Sequence, residues 1–269
     1  MASRLNVGII GLGTMGRCIV SGLIESKKLS RNQIGFTTRQ SGGKAAEELG
    51  LTACKDNLDL VSRCDTVILA VKPQNLAEVL TEIGPKVKPN QTLISIVASA
   101  STEALEGHLA GRVPVIRAMP NTPALVREGV TALCAGKYGK EEDWARASAL
   151  FEPLGKVVRV DEKHMNAVTG LSGCGPAYVY VILESLTDAG IKVGLPRELS
   201  TQLAAQTVLG AVKMLMETGR HPAALKDDVT TPAGCTIDGL MELEEGKLRV
   251  TLIKAVVQAT LRAATLSSV

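Results

Sequence analysis

Three closely spaced glycines near the start of the chain constrain its fold most. The segment Leu5–Gly16, LNVGIIGLGTMG, is a short apolar run followed by Gly11, Gly13 and Gly16 in a GxGxxG pattern. This pattern predicts a strand, a tight turn and a helix start that binds a pyrophosphate. The first glycine permits the turn, the second lets the phosphates approach the backbone, and the third allows close helix–strand packing. Three glycines also occur in ordinary loops, but their place directly after an apolar strand favours a dinucleotide site.

The overall composition favours a globular protein whose partner is a small molecule. The chain has 269 residues with 45% hydrophobic content, which is enough for one large or two modest domains. Thirty basic and 27 acidic residues give a net charge of +3, and no basic run is interleaved with aromatic residues, so we predict no nucleic-acid partner. We find no signal peptide and no hydrophobic run of about 18 residues. We therefore expect no membrane span and a cytoplasmic location, with mitochondrial association left open.

The cysteines and histidines indicate neither a disulfide framework nor a metal site. Six cysteines are scattered without a CxxC pair, which is typical of reduced, structural thiols. Three histidines lie far apart and lack the spacing of metal ligands. We therefore predict no metal.

Strand-like and helix-like segments alternate through the first part of the chain and then give way to helices. The predicted strands after the first are Gln33–Thr38, Asp65–Val71, Thr92–Val97, Val113–Met119, Gly129–Ala135 and Lys156–Val160. The later helical segments are Ala177–Ala189, Arg197–Thr218 and Gly246–Leu266. The alternation predicts an α/β fold, with a Rossmann-type doubly wound sheet over residues 1–162. An all-α domain follows over residues 163–269.

The end of the second predicted strand bears on which nicotinamide cofactor is used. An NAD-selective fold offers Asp or Glu to the ribose about 20 residues after the glycines. This chain offers Thr37, Thr38 and Arg39 instead. Two hydroxyls and a guanidinium suit a 2′-phosphate, so we predict NADPH as the cofactor, with NADH left open. The alternative is that Arg39 is a solvated loop residue.

Two proline-containing turns follow buried strands at the carboxyl edge, where open α/β sheets bind ligands. Lys72-Pro73 ends one strand, and Lys72 and Asn57 are candidate neighbours of the cofactor. The turn Pro120–Pro123 is rigid; it is either purely structural, or it holds the nicotinamide or shapes the substrate cleft. The candidate cofactor-binding residues are Gly11, Gly13, Thr14, Met15, Gly16, Thr37, Thr38, Arg39, Asn57, Ala70, Val71, Lys72, Pro73 and Asn121.

Two motifs in the helical half carry further chemistry. Gly170–Tyr178, GLSGCGPAY, is either a tight interhelical turn or a close backbone approach to a ligand or another subunit. Val229–Gly239, VTTPAGCTIDG, places threonines around a Pro-Ala-Gly turn at a helix start. Such a turn suits a small carboxylate, although a threonine-rich capped turn is the simpler alternative.

Together these motifs resemble those of the pyrroline-5-carboxylate reductase family. The resemblance is carried by GLGTMG, AVKP, MPNTPALVREG, LSGCGPAY and VTTPAGCTIDGLMELEEG, and it covers essentially the whole chain. The last motif is the most specific, because many reductases share the dinucleotide fold without this turn. The chain departs from the family at Cys174, where serine is more frequent, and at Ala233 and Cys235, which replace a more glycine-rich turn. These changes bear on substrate preference more than on activity.

The resemblance implies reduction of 1-pyrroline-5-carboxylate, a cyclic imine, to L-proline, the last step of proline biosynthesis. The hydride passes from NAD(P)H to the C=N carbon. The residues that match a substrate site are Thr231, Gly234, Cys235 and Thr236. Thr236 is the predicted catalytic residue; it orients the ring nitrogen and is too weak an acid to act by matched pKa. The resemblance also implies a homodimer, alone or assembled into a decamer, through the apolar helices of Arg197–Met216 and Leu248–Leu261.

Other functions with the same two-domain layout stay open. A β-hydroxyacid dehydrogenase needs a catalytic lysine near the start of the central helices, but His164–Tyr180 contains none and the next is Lys192. A different imine reductase is a further alternative. A non-enzymatic NAD(P)-binding scaffold or redox sensor would not require an intact substrate turn.

Overall fold

One seven-stranded sheet organises the first part of the chain. A computed structural model describes residues 5–38, 42–51, 53–98 and 100–266. The strands in these residues are β1 (Leu5–Ile10), β2 (Ile34–Thr37), β3 (Cys64–Leu69), β4 (Thr92–Ser95), β5 (Val115–Met119), β6 (Gly129–Ala135) and β7 (Gly155–Arg159). Their order across the sheet is β2-β1-β3-β4-β5-β6-β7.

The first five strands are parallel, because helices or helical segments lie between consecutive strands. These helices are α1 (Thr14–Glu25), α2 (Gly42–Leu49), α3 (Asn57–Arg63), α4 (Leu76–Ile83) and α5 (Thr102–Gly107). From β1 the chain passes to β2 on one side and then to β3 on the other side. This reversal is the point at which open α/β sheets bind ligands, and it confirms the predicted doubly wound fold.

The sixth strand differs from the simple parallel pattern. β6 runs antiparallel to β5, with Ala118 paired to Leu133. Only nine residues lie between the end of β5 and the start of β6, whereas a parallel crossover needs a dozen or more. The chain then forms α6 (Glu141–Phe151), and β7 returns parallel to β6.

Several predicted strands are shorter in the structure, and the end of α1 has a clear local cause. α1 ends at Glu25, because Lys27 has a left-handed φ of 58° that an α-helix does not continue through. The strand predicted to reach Val71 ends at Leu69. Ala70 and Val71 therefore belong to the turn that follows β3.

Apolar clusters cover both faces of the sheet. Ile9 and Ile68 lie in one cluster with Phe36, whereas the neighbouring Ile10 and Val67 lie in the other. Adjacent residues of a strand point to opposite faces of the sheet. Because neighbouring residues of β1 and β3 belong to different clusters, both faces of these strands are buried. All six cysteines are free thiols, and burial raises the pKa of the most enclosed ones, that of Cys64 to about 12.

The chain after β7 is helical. It contains α7 (Met165–Val168), a π-helical segment (Thr169–Gly173), α8 (Gly175–Lys192), α9 (Arg197–Thr218), α10 (Pro222–Asp228), α11 (Cys235–Glu245) and α12 (Leu248–Thr265). Residues Gly175–Val257 form a compact unit of their own, and the flanking residues belong to the other unit. The boundary predicted at residues 162 and 163 stays a prediction. In the described ranges, no helix combines the length and apolarity needed to cross a membrane.

The unit Gly175–Val257 lacks an apolar core of its own. Its helices α8 and α9 are joined by a 2.7 Å hydrogen bond from Ser200 Oγ to the carbonyl of Thr187. Throughout this unit, which is described without gaps, Thr187 and Ser200 are the only buried residues. Most of its large apolar side chains are exposed in the single chain, so the unit needs another surface to cover them.

Candidate active site

Two of the three glycines after β1 are required by the fold. Gly11 has a φ of 99°, and a Cβ there would lie 2.6 Å from the carbonyl oxygen of Ala70. A Cβ at Gly16 would lie 2.4 Å from the carbonyl oxygen of Gly11. A side chain at either position would therefore push the turn away from β3 or α1 away from the turn.

The fold does not require a glycine at position 13. A Cβ there would meet no described atom within 4 Å, and its φ of −73° is one that any residue adopts. Gly13 is the N-cap of α1 and makes no side-chain cap, and the first turn carries no acidic residue. The N–H groups of Thr14, Met15 and Gly16 consequently lack helical partners. This open, uncapped helix start fits a pyrophosphate.

Arg17 is a basic residue beside this turn that was not among the predicted site residues. Arg17 Nε donates to the carbonyl of Leu12 at 3.3 Å, and its guanidinium pairs with Glu48. The signal in the sequence was a basic residue directly after the third glycine, because the first turn of such a helix is where a pyrophosphate would bind.

The ends of three strands meet beside the glycines. The N–H of Gly11 donates to the carbonyl of Thr37 at 2.9 Å, and the N–H of Ala70 donates to that of Ile10 at 2.8 Å. The structure thereby brings together the predicted cofactor residues at the ends of β1, β2 and β3. Lys72 and Pro73 follow, with Lys72 exposed and Pro73 opening a short 3-10 turn.

At the end of β2, a chain of hydrogen bonds occupies the side chain of Thr37. Its Oγ1 donates to Oδ1 of Asn57 at 2.6 Å, and Nδ2 of Asn57 donates to Oε2 of Glu82 at 2.7 Å. A hydroxyl has one proton, so Thr37 offers a ligand only an acceptor oxygen. Hydrogen-bond donors for a 2′-phosphate would come from Thr38 and Arg39, and Arg39 lies outside the described residues. Glu82 was not predicted, since nothing in its local sequence links it to Asn57.

The side chain of Asn121 is turned into the protein. Its Oδ1 accepts from the N–H of Val130 at 2.9 Å, and its Nδ2 donates to the carbonyl of Ser172 at 3.2 Å. The predicted rigid turn is present as a 3-10 segment, Thr122–Val126, that follows Asn121. Asn121 thus joins this turn to the GLSG motif.

The threonine-rich motif of the second unit forms a tight turn into α11. The N–H of Gly234 donates to the carbonyl of Thr231 at 3.0 Å, which leaves Pro232 and Ala233 as the central residues. Ala233 has a positive φ of 58°, the conformation usually filled by glycine at the second central position. The helix begins at Cys235, directly after this turn.

The start of α11 offers unsatisfied donors. Its N-cap, Gly234, makes no side-chain hydrogen bond to the first turn. Thr236 is half-buried, and Thr231 and Cys235 are exposed. In the described part of the chain, the hydroxyls of Thr231 and Thr236 have no hydrogen-bond partner. Helix N–H groups and two hydroxyls at one turn suit a small carboxylate with an adjacent polar atom.

The helix before this turn is held at both ends. Thr230 Oγ1 donates to the carbonyl of Lys226 at 2.8 Å, so this threonine closes α10 and is not part of the open donor group. Arg220 pairs with Asp228 at 2.5 Å, and this hydrogen bond lowers the pKa of the Asp228 carboxyl. These two contacts hold the C-terminal end of α10, which leads into the turn.

Comparison with known proteins assigns the chain to a family. The family model described as pyrroline-5-carboxylate reductase dimerisation matches residues 162–266, and that of the coenzyme F420-dependent NADP oxidoreductases matches residues 6–99. A pyrroline-5-carboxylate reductase of Arabidopsis thaliana is 42% identical over 268 residues, which cover 99% of this chain and 97% of that protein. The chain belongs to the pyrroline-5-carboxylate reductase family.

Solved structures of the reductase family agree with this assignment over the full length. The Plasmodium falciparum pyrroline carboxylate reductase, with NADP bound, has a TM-score of 0.90 and 32% identity, covering 99% of this chain and 100% of that one. The pyrroline-5-carboxylate reductase of Coxiella burnetii has a TM-score of 0.89 and 35% identity, covering 99% of both chains. The resemblance drawn from the sequence motifs is confirmed. The individual site residues stay predictions.

The glycine turn of this reductase-family chain yields a matched pair of variants. We expect Gly13→Ala to fold at least as stably as the unsubstituted chain, because its Cβ meets open space and alanine reduces the entropy of the unfolded chain. It should raise the Kd for NADPH about 10- to 150-fold, since a hydrogen bond to a charged group is worth about 1.5–3 kcal/mol.

Gly16→Ala should destabilise the fold, in contrast to Gly13→Ala. Its Cβ would press on the Gly11 carbonyl, which should lower the free energy of unfolding by about 1–3 kcal/mol. Thermal denaturation and fluorescence titration with NADPH measure the two effects. Equal stability losses in both variants would contradict the division of roles among the glycines.

Proposed function

We propose that this chain catalyses the NAD(P)H-dependent reduction of 1-pyrroline-5-carboxylate to L-proline. The observation that carries the proposal is the uncapped start of α11, where helix N–H groups lie beside the unpaired hydroxyls of Thr231 and Thr236. The identity of 42% to a curated reductase over nearly the whole length supports the same activity.

The first unit would hold the cofactor, for which we propose NADPH, with NADH as the weaker reductant. The N–H groups at the start of α1 would bind the pyrophosphate, and the end of β2 would bind the adenosine ribose. Arg39 would pair with the 2′-phosphate through its planar guanidinium. The NADP bound in the Plasmodium falciparum relative supports the phosphorylated cofactor.

The turn before α11 would hold the substrate. We assign the substrate carboxylate to the N–H groups of Cys235 and Thr236, with Gly234 allowing close approach, and to the hydroxyl of Thr231. The Thr236 hydroxyl would then lie near the ring nitrogen and orient the protonated imine. When bound, the nicotinamide supplies the hydride that the imine carbon accepts.

This chemistry asks for orientation more than for a strong acid. A protonated imine is already electrophilic, and a threonine hydroxyl is too weakly acidic to be matched to neutral pH. Thr236 therefore holds the nitrogen in place and passes protons to and from water. The same reasoning explains why no lysine, histidine or carboxylate is required beside the ring.

The second unit would assemble the protein into at least a homodimer, with a decamer as a larger assembly of dimers. Val250, Ile253 and Val257 follow a helical spacing on α12 and are 47%, 63% and 48% exposed in the single chain. An obligate interface needs an extended apolar surface of this kind. The match to the dimerisation family supports it.

The catalytic assignment is tested by substituting Thr236. The unsubstituted protein should oxidise NADPH in the presence of pyrroline-5-carboxylate, and absence of turnover with either cofactor would refute the proposed function. Thr236→Ala should lower kcat about 10- to 150-fold through loss of a hydrogen bond worth about 1.5–3 kcal/mol. Thr236→Ser keeps the hydroxyl and should retain most activity.

Thr81→Ala on α4 is the control, because this exposed hydroxyl bonds only within its own helix. The Kd for NADPH should be unchanged in all three variants. If Thr236→Ala weakened NADPH binding as strongly as it lowered kcat, Thr236 would be misassigned.

The choice of cofactor is tested by reversing the charge of Arg39. Arg39→Glu should lower kcat/KM for NADPH relative to NADH by about tenfold or more, because a carboxylate repels the 2′-phosphate that the guanidinium binds. Arg112→Glu, an equal charge change at an exposed position, should leave the ratio unchanged. An unchanged ratio in Arg39→Glu would support the solvated-loop alternative.

Assembly is tested on the apolar face of α12. Ile253→Asp would place an unpaired carboxylate in the interface at a cost of roughly 3 kcal/mol or more, which weakens dimerisation about 100-fold or more. Sedimentation velocity should show a smaller species at a concentration where the unsubstituted protein is assembled. Val126→Asp, which alters an equally exposed apolar residue of the other unit, should not change the mass. If the Ile253→Asp variant formed dimers of unaltered stability, this face of α12 would not be the dimer interface.

A further inference from the structure

Asn121 connects two motifs that lie far apart in the sequence. Its Nδ2 donates to the carbonyl of Ser172, 51 residues further along the chain, and its Oδ1 accepts from the N–H of Val130. The residue is only 8% exposed. Both polar groups of the amide are thus engaged by the protein, and the predicted cofactor contact stays a prediction.

The segment that Asn121 binds has an unusual backbone. Thr169–Gly173 is π-helical, and the N–H of Cys174 donates to the carbonyl of Thr169 at 2.9 Å across the wide turn. Such turns are rare and frequently occur at functional sites. The carbonyl of Ser172 lies in this turn, so the amide of Asn121 supplies it with a donor from outside the helix.

The π-helical segment also rests on the strand that leads to Asn121. A Cβ on Gly173 would lie 2.8 Å from Cε of Met119, the last residue of β5. Gly173 therefore packs against the end of the Met119 side chain, which would have to shift to admit a Cβ. Contacts from Met119 and Asn121 together place the segment at the carboxyl end of β5.

This position corresponds to the nicotinamide side of the sheet. The pyrophosphate belongs at the start of α1, and the adenosine ribose belongs at the end of β2. The other half of a dinucleotide then extends past β3 toward β4 and β5, which lie on the opposite side of β1 from β2. A nicotinamide bound in this way would lie beside the π-helical segment.

We propose that Asn121 is a positioning residue for the hydride transfer. Through the carbonyl of Ser172 it holds the π-helical segment against the end of β5, and this segment forms one wall of the substrate cleft beside the nicotinamide. The assignment rests on the reductase function proposed above. It makes the rigid Pro120–Pro123 turn a support for the substrate wall and not a ligand of the cofactor.

Asn121→Asp is the sharpest test, because it is nearly isosteric. The carboxylate keeps an acceptor for the N–H of Val130 but sets a second oxygen against the carbonyl of Ser172. Hydrogen exchange of residues 165–178 should accelerate, while that of residues 5–16 is unchanged. The kcat/KM for pyrroline-5-carboxylate should fall up to about 100-fold, the effect of a small misplacement of reacting groups, and the Kd for NADPH should not change.

Asn90→Asp adds the same charge at an exposed position and should leave all three measurements unchanged. If Asn121→Asp does not fold, Asn121→Ser removes the donor to Ser172 without adding a charge, and the same pattern is expected. The proposal is overturned if NADPH binding weakens in proportion to kcat/KM, or if kcat/KM is unaffected although exchange accelerates. Unchanged exchange in residues 165–178 would also overturn it. Lack of activity in the unsubstituted protein would instead refute the reductase function, while the exchange comparison would still test the contact.

Discussion

The close approach of Gly11 to the carbonyl of Ala70 is the constraint on which the candidate cofactor site depends. It requires a positive φ and no side chain at Gly11, and it allows the turn after β1 to lie directly against the turn after β3. Two backbone hydrogen bonds, from Gly11 to Thr37 and from Ala70 to Ile10, fix the three strand ends to one another. The start of α1 then follows the carboxyl end of β1, next to that of β3, where the strand order reverses. The proposed positions of the pyrophosphate, the ribose and the nicotinamide all depend on that geometry.

The helical unit obeys a different constraint. With Thr187 and Ser200 as its only buried residues, Gly175–Val257 cannot offset the entropy of ordering its helices by burying its own apolar side chains. Its stability must come largely from contacts with surfaces outside the unit. The match to the dimerisation family indicates that a second copy of the chain provides such a surface. For such a chain, folding stability and protomer concentration are linked, because only the assembled state buries the apolar faces.

The sequence predicted the elements whose signals are local. The predicted bounds of β6 are those of the structure, because a single apolar run defines the strand. The predicted bounds of α9 are also those of the structure, because Pro196 precedes the helix and Gly219 follows it. The direction of β6 was not predictable from its own residues, since the length of the preceding connection decides it. The tight turn before α11 depends on the positive φ of Ala233, a conformation that an alanine in the sequence does not indicate. The hydrogen bonds from Thr37 through Asn57 to Glu82 join residues that only the tertiary fold brings together.

The two proposed anion sites share one structural feature, a helix start without a capping side chain. α1 and α11 both begin after a glycine, Gly13 and Gly234, that makes no side-chain cap. In the same chain α3 is capped by Asp56 and α5 by Ser101, whose oxygens accept the N–H groups of the first turn. A capping oxygen would occupy the donors that a phosphate or carboxylate needs, whereas glycine leaves them free and lets the anion approach. A reaction that needs oriented anions more than acid–base groups can therefore be supported largely by main-chain N–H groups, which explains why the decisive residues are glycines and threonines.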